Sequence, residues 1–294
     1  MKVRLFIRKL LPPFILDAIK KKVNFCALYL YKILKRKPWT RGYGLYKADF
    51  IAKTLKNNYL MSIFSNNDKL PEEYGVGIDE RCVELPWSVS HLLAGEEKVF
   101  DAGSSFNHSF VLNQEIFKEK EVSIMTLAPE NDNFLEKRIS YFYGDLRKVP
   151  IVDNYFDKIL CVSTLEHIGF NNINYSKVEK FREFKKDDYL KTVRELVRVL
   201  KIGGSLFVTV PYGKYTDFGW FQQFDQDKLS TMLNIFDKIG VSRVVFYKYL
   251  NSGWKLSDRI ECSECVYVKN DYNIESDGAV AARAVACIHF VKNK

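Results

Sequence analysis

The chain has 294 residues, 47% hydrophobic and 28% charged, with 15 glycines and 8 prolines. That excludes a disordered, collagen-like or low-complexity protein and leaves one large domain or two small ones. The net charge of +9 averages unlike parts: residues 1–60 hold 15 Lys and Arg against Asp17 and Asp49, whereas the other 234 residues hold 30 basic and 34 acidic side chains. The body is mildly acidic, which argues against nucleic acid as a partner.

Residues 1–45 form a basic leader. A charged stretch over 1–10 runs into apolar residues 10–16, the order of a secretory signal. However, Pro12 and Pro13 interrupt it, Asp17 follows, and Lys20, Lys21 and Lys22 stand where a cleavage site would be. No run of about 18 uncharged apolar residues exists, so no spanning helix is expected. Val23–Leu34 is apolar and aromatic and ends in Lys35, Arg36 and Lys37. Such a run suits peripheral contact with an anionic membrane; a basic helix packed on the domain, or a loose tail, is the plainer alternative. Residues 46–96 read as a helical and irregular extension, with Leu85, Pro86 and Trp87 leading into Ser88–Leu93.

From residue 97 to 294 apolar runs alternate with helical spacing. Strands are expected over Lys98–Asp101, Val122–Leu127, Ile139–Tyr143, Phe156–Ser163, Ser205–Val210, Val241–Leu250 and Ala282–Val291. Tyr189, Val193, Leu196, Val197 and Leu200 mark a helix over 185–200, with Gly203 and Gly204 suited to its C-terminal cap. A second helix is expected over 225–239, and Trp254–Asp271 reads as an insertion that shapes an acceptor site. This order implies a mostly parallel sheet covered by helices on both faces, with its ligand at the carboxyl ends of the strands. The cysteines (26, 82, 161, 262, 265 and 287) are sparse and suit a reducing, cytoplasmic setting. Cys262 and Cys265 have no second spaced pair to complete a four-ligand zinc site, so no metal is expected.

Two groups of motifs resemble a known family. One is Phe100-Asp101-Ala102-Gly103, then Gly144-Asp145-Leu146, then Asp157–Cys161; the other is Thr164-Leu165-Glu166-His167, a helix, and Leu200–Leu206. Together they resemble the class I S-adenosylmethionine-dependent methyltransferases. Thr126–Glu130, Ser163–Gly169 and Pro211–Lys214 are similar to a little-characterised methyltransferase-like group found with surface-glycan biosynthesis proteins. The resemblance implies a Rossmann-like sheet of seven mostly parallel strands. It also implies S-adenosylmethionine as cofactor, and methyl transfer to a hydroxyl of a small-molecule or glycan acceptor.

The cofactor-binding candidates follow from it. Asp101, Gly103, Ser104 and Ser105 lie in the loop after the first strand, where a residue without Cβ lets backbone approach a ligand. Ser104 and Ser105 stand where the family usually has further glycines. Its loop N–H groups and two hydroxyls would meet the methionine carboxylate. The acid that usually ends the second strand is replaced by Thr126, whose hydroxyl binds a ribose more weakly than a carboxylate; Glu130 is the substitute. Asp145 and the Leu146 N–H would meet the adenine, unless Asp145 simply caps its turn. Glu166 and His167 are the catalytic candidates. A hydroxyl acceptor needs a base, and His167 titrates near neutrality; the alternative is a helix-capping Glu166 and a packed His167. Tyr215 and Trp220, in the aromatic loop after the fifth strand, would stack on a sugar or pack as a lid. The rival readings are a decayed scaffold at a membrane, a nucleic-acid methyltransferase and a nicotinamide enzyme. No GxGxxG fingerprint supports the last.

Overall fold

The computed structural model describes residues 12–34, 37–130, 133–134, 137–268 and 281–294. The leader's first eleven residues, Lys35 and Arg36 lie outside the described residues, as does the end of the 254–271 insertion.

Four helices precede the sheet: α1 (Pro13–Ile33), α2 (Tyr43–Lys56), α3 (Asn58–Asn66) and α4 (Arg81–Val89). Helix α1 packs on α2 through Tyr31, whose ring meets those of Tyr43 and Tyr46. Its other side presents Ile19, Val23, Leu30 and Ile33 to solvent. No helix among the described residues is long and apolar enough to cross a membrane. Helix α4 is buried along nearly its whole length. Pro86 lies inside it and cannot donate to the Cys82 carbonyl one turn back. The Tyr74 hydroxyl donates to that carbonyl instead, at 2.7 Å, which lets proline sit in a buried helix without an orphaned acceptor.

The sheet comprises β1 (Lys98–Ala102), β2 (Glu121–Thr126), β3 (Ile139–Tyr143), β4 (Phe156–Val162), β5 (Leu200–Pro211), β6 (Gly240–Leu250), β7 (Gly253–Ser257) and β8 (Ala284–Lys292). Their spatial order is β3-β2-β1-β4-β5-β8-β6-β7. The first five run parallel, and β8 enters antiparallel between β5 and β6. Order reverses at β1 and β4, where open α/β sheets place their ligand. This is the expected α/β architecture with an eighth strand added. Helices α5 (Tyr189–Val199) and α6 (Gln226–Phe236) pack their apolar stripes on one face. The buried side chains of α2, α3 and α4 share one core with the other face.

Two local expectations are corrected. Gly203 and Gly204 do not cap α5, because Leu200 is already extended and opens β5. They lie in a bulge, where register jumps from Phe156↔Leu200 to Lys158↔Ser205. A Cβ on Gly204 would stand 3.0 Å from the Asp157 carbonyl oxygen. The second correction concerns Trp254. It lies on edge strand β7, not in an acceptor-shaping loop. Its ring is 1% exposed and its indole N–H donates to the Ile78 carbonyl at 2.9 Å.

Candidate functional site

A cavity of about 200 Å³ opens at the carboxyl ends of β1, β2 and β4. Its walls include Gly103, Ser105, Thr126, Glu130, Leu146 and His167 from the expected set, and Arg81 from α4. Asp101, Ser104, Asp145 and Glu166 stand behind these walls rather than on them.

Asp101, the next-to-last residue of β1, is fully buried, and its carboxylate turns toward the loop that follows. Its two oxygens accept the Ser105 N–H at 3.1 Å and the Phe106 N–H at 2.9 Å. Burial pushes its carboxyl up to about 7, against the pull of those two N–H groups. Gly103 has φ +117°, and a Cβ there would stand 2.1 Å from Thr164 Oγ1. Glycine is therefore demanded by backbone angle and by contact with the β4 loop. Ser104 takes a left-handed φ of 67° and donates its hydroxyl to Glu130 Oε2 at 2.8 Å. The same oxygen accepts from the Asn107 amide at 2.9 Å. Thr126 faces Glu130 Oε1 at 3.4 Å. A carboxylate thus stands beside the β2 end although it comes from four residues further on.

Asp145 is gripped by Arg147, which also reaches Glu183 at 2.7 Å and Asp188 at 2.6 Å. Burial would raise the Asp145 carboxyl, but the Arg147 hydrogen bonds hold it below the usual range.

Glu166 and His167 follow β4 in a single tight turn. His167 Nδ1 lies 3.1 Å from the Trp220 carbonyl oxygen. That contact requires the proton on Nδ1 and leaves Nε2 as the acceptor. Burial lowers the imidazole to about 4, so it is neutral at pH 7. Glu166 is 3% exposed and its Oε2 has no partner among the described residues. Burial, helped by the charge of Glu84, lifts its carboxyl to about 8. Trp220 packs on His167 with ring centres 5.1 Å apart, and Tyr175 at 5.7 Å. Tyr215 does not line the cavity; Lys186 and Lys228 stand over its ring.

Sequence reasoning missed Arg81 and Glu84. Glu84 is fully buried; it accepts from Arg81 Nη1 at 2.7 Å, the Ser163 hydroxyl at 2.7 Å and the Thr209 hydroxyl at 2.8 Å. The available signal was an opposite-charge pair three apart on a short helix that is apolar on every other side.

Residues 117–208 match the family model of a methyltransferase domain. The match spans about a third of the chain and includes β2, β3 and β4 and most of β5. No curated protein matches the chain in sequence. Among solved structures it is similar to YcgJ from Bacillus subtilis, at 14% identity and a TM-score of 0.45 over 72% of this chain and 98% of that one. It is also similar to a Burkholderia thailandensis 1,6-didemethyltoxoflavin-N1-methyltransferase (11% identity, TM-score 0.45, 97% and 92% covered), and to the N-methyltransferase NodS of Bradyrhizobium japonicum (11%, 0.42, 70% and 90%).

Proposed function

We propose that this methyltransferase acts on a hydroxyl of a small-molecule or glycan acceptor, with His167 as the base. The observation that supports this most is the His167 tautomer. Its Nδ1–H is held by the Trp220 carbonyl, which leaves Nε2 as the unprotonated nitrogen of a residue that lines the cavity. A hydroxyl must lose its proton as the new bond to carbon forms, and a positioned neutral imidazole accepts it.

The lining fits S-adenosylmethionine. Met125, Leu127, Leu146 and Ile168 make an apolar slot for the adenine, with Asp145 behind it, between the lining residues Gly144 and Leu146. Thr126 and Glu130 face the ribose hydroxyls, and the Gly103–Ser105 loop borders the methionine part. When bound, the cofactor supplies an electrophilic methyl group on a positively charged sulfur. The protein's task is then positioning and proton removal. Burial keeps His167 unprotonated at pH 7, and Glu166, kept protonated by burial, is a neutral neighbour that does not compete for the acceptor's proton.

Support for a glycan acceptor comes from the surface beside the cavity. Tyr175 lines both the cavity and an open groove formed with Asn171, Asn174, Phe184 and Trp220. Flat rings with amides between them suit the apolar faces and hydroxyls of a sugar. The exposed apolar residues of α1, with the basic leader, support peripheral contact with an anionic membrane from the cytoplasmic side. The chain divides, in this reading, into a basic leader (1–45), a helical extension (46–96) and the methyltransferase-like domain (97–294).

The test is calorimetric titration of the chain with S-adenosylmethionine and S-adenosylhomocysteine, followed by methyl transfer to candidate acceptors by wild type and His167→Asn. Micromolar cofactor binding with at least 100-fold slower transfer by the variant is expected. Absence of binding up to millimolar in a folded sample would leave a scaffold as the better reading.

A further inference from the structure

The loop after β1 has few donors left to offer an anion. The Gly103 N–H is taken by the Met125 carbonyl, those of Ser105 and Phe106 by Asp101, and that of Asn107 by Ser104. The Ser104 hydroxyl donates to Glu130, and the Ser105 hydroxyl donates to the Val162 carbonyl at 2.7 Å. Of this loop's backbone donors from Gly103 to Asn107, the Ser104 N–H alone has no partner among the described residues, so a carboxylate arriving here meets a single open donor. Burying an ionised carboxylate without partners costs several kcal/mol.

Among the described lining residues the one cation is Arg81. It sits at the end shared with Ser163, Thr164 and His167, away from the apolar slot of Met125 and Leu146. Its guanidinium is anchored by one nitrogen only, Nη1, to Glu84. Glu84 is itself fixed by Ser163 and Thr209, so the anchor cannot follow the arginine outward. Nε and Nη2 carry no bond to any described residue. An arginine held by one corner with its other donors open is arranged for two-point recognition of a planar anion.

We infer that Arg81, from the N-terminal extension, binds the carboxylate of the cofactor's methionine part, and that Glu84 is the positioning residue that aims it. This rests on the cofactor reading of the cavity given above. The extension then supplies through a side chain what the filled-in loop no longer supplies through its backbone. One class of anion fits both the site and the cofactor, an amino-acid carboxylate. An anionic group on the acceptor is the competing occupant.

The experiment titrates the full chain by calorimetry with two probes, S-adenosylhomocysteine and 5′-methylthioadenosine, which keeps the nucleoside and sulfur but lacks the amino-acid part. Arg81→Gln is expected to weaken S-adenosylhomocysteine about 10- to 100-fold and to leave methylthioadenosine within about twofold. Arg81→Lys keeps a charge against Glu84 and so keeps the fold, but loses the fork. It is expected to weaken S-adenosylhomocysteine about 5- to 10-fold with methylthioadenosine unchanged, and it carries the test if Arg81→Gln does not fold. Equal losses for both probes would overturn the inference, because Arg81 would then only be holding the wall together. Unchanged S-adenosylhomocysteine affinity would overturn it in favour of the acceptor. A wild type that binds neither probe would overturn the cavity reading on which it rests.

Discussion

Replacing Gly103 with alanine tests how the β1 and β4 loops build the cavity. The new Cβ would lie 2.1 Å from Thr164 Oγ1, 2.6 Å from its Cγ2 and 2.9 Å from its Cβ. The backbone at φ +117° is also a region that side chains rarely enter. The conformational strain is worth about 1–3 kcal/mol, and forced overpacking adds about 1–3 kcal/mol. Together they predict a loss of about 2–6 kcal/mol, unless the two loops part. Parting would widen the cavity and weaken S-adenosylhomocysteine instead. Urea unfolding and calorimetry on the same samples read both routes. Adding Thr164→Ala removes Oγ1 and Cγ2 and should recover part of the contact share, while the 2.9 Å approach of its Cβ and the strain stay. Gly103→Ala with wild-type stability and wild-type affinity would refute the close approach of these loops.

Four further outcomes follow from the geometry. Asp145→Ala should leave the chain folded, because Arg147 keeps Glu183 and Asp188, but weaken S-adenosylhomocysteine about 10-fold; unchanged affinity in calorimetry would remove Asp145 from the adenine end. Trp254→Ala should cost about 3–5 kcal/mol in urea unfolding, since it empties a buried site and orphans the Ile78 carbonyl; a loss under 1 kcal/mol would show the edge strand to be peripheral. Between about pH 6.5 and 8 the folded chain should lose stability as pH rises. The raised carboxyls of Glu80 and Glu166 are protonated in the fold and ionised when unfolded, each contributing up to about 1.4 kcal/mol per pH unit. Glu166→Gln should flatten that slope in thermal melts, and an unaltered slope would mean that Glu166 is ionised in the fold. Deleting residues 1–40 should leave a folded body and abolish sedimentation with anionic vesicles; retained binding would clear the leader of that role.

The parallel half of the sheet was legible because β1, β2 and β4 are short apolar runs that end in turn residues, and buried parallel strands have no other pattern. Strand β7 was hidden by its length. Five residues around an aromatic, opened by Gly253 after a two-residue turn, read equally well as a loop. The Gly203-Gly204 pair was ambiguous, because glycine serves a helix cap and a bulge for the same reason, freedom at positive φ. Within the site, Gly103, Thr126, Glu130 and His167 were readable because they follow strand ends in order. Arg81 and Glu84 were not, because no strand precedes them. They reach the site through tertiary packing of a helix whose sequence looks like core.

The hairpin of β6 and β7 has a consequence for how the molecule is made. The turn just before Arg81 is built on the far end of the chain: the Gly77 N–H donates to the Tyr249 hydroxyl, the Trp254 N–H to the Tyr74 carbonyl and the Ala282 N–H to Glu80. These contacts join residues more than 170 positions apart. Closing so long a loop is slow and comes late in folding. On a ribosome, where the N-terminal part emerges first, the helix that carries Arg81 has to wait for the last quarter of the chain before its anchor exists. A nascent chain that stops short of the hairpin would already own the matched stretch from 117 to 208, yet lack the ordered wall that completes its cavity.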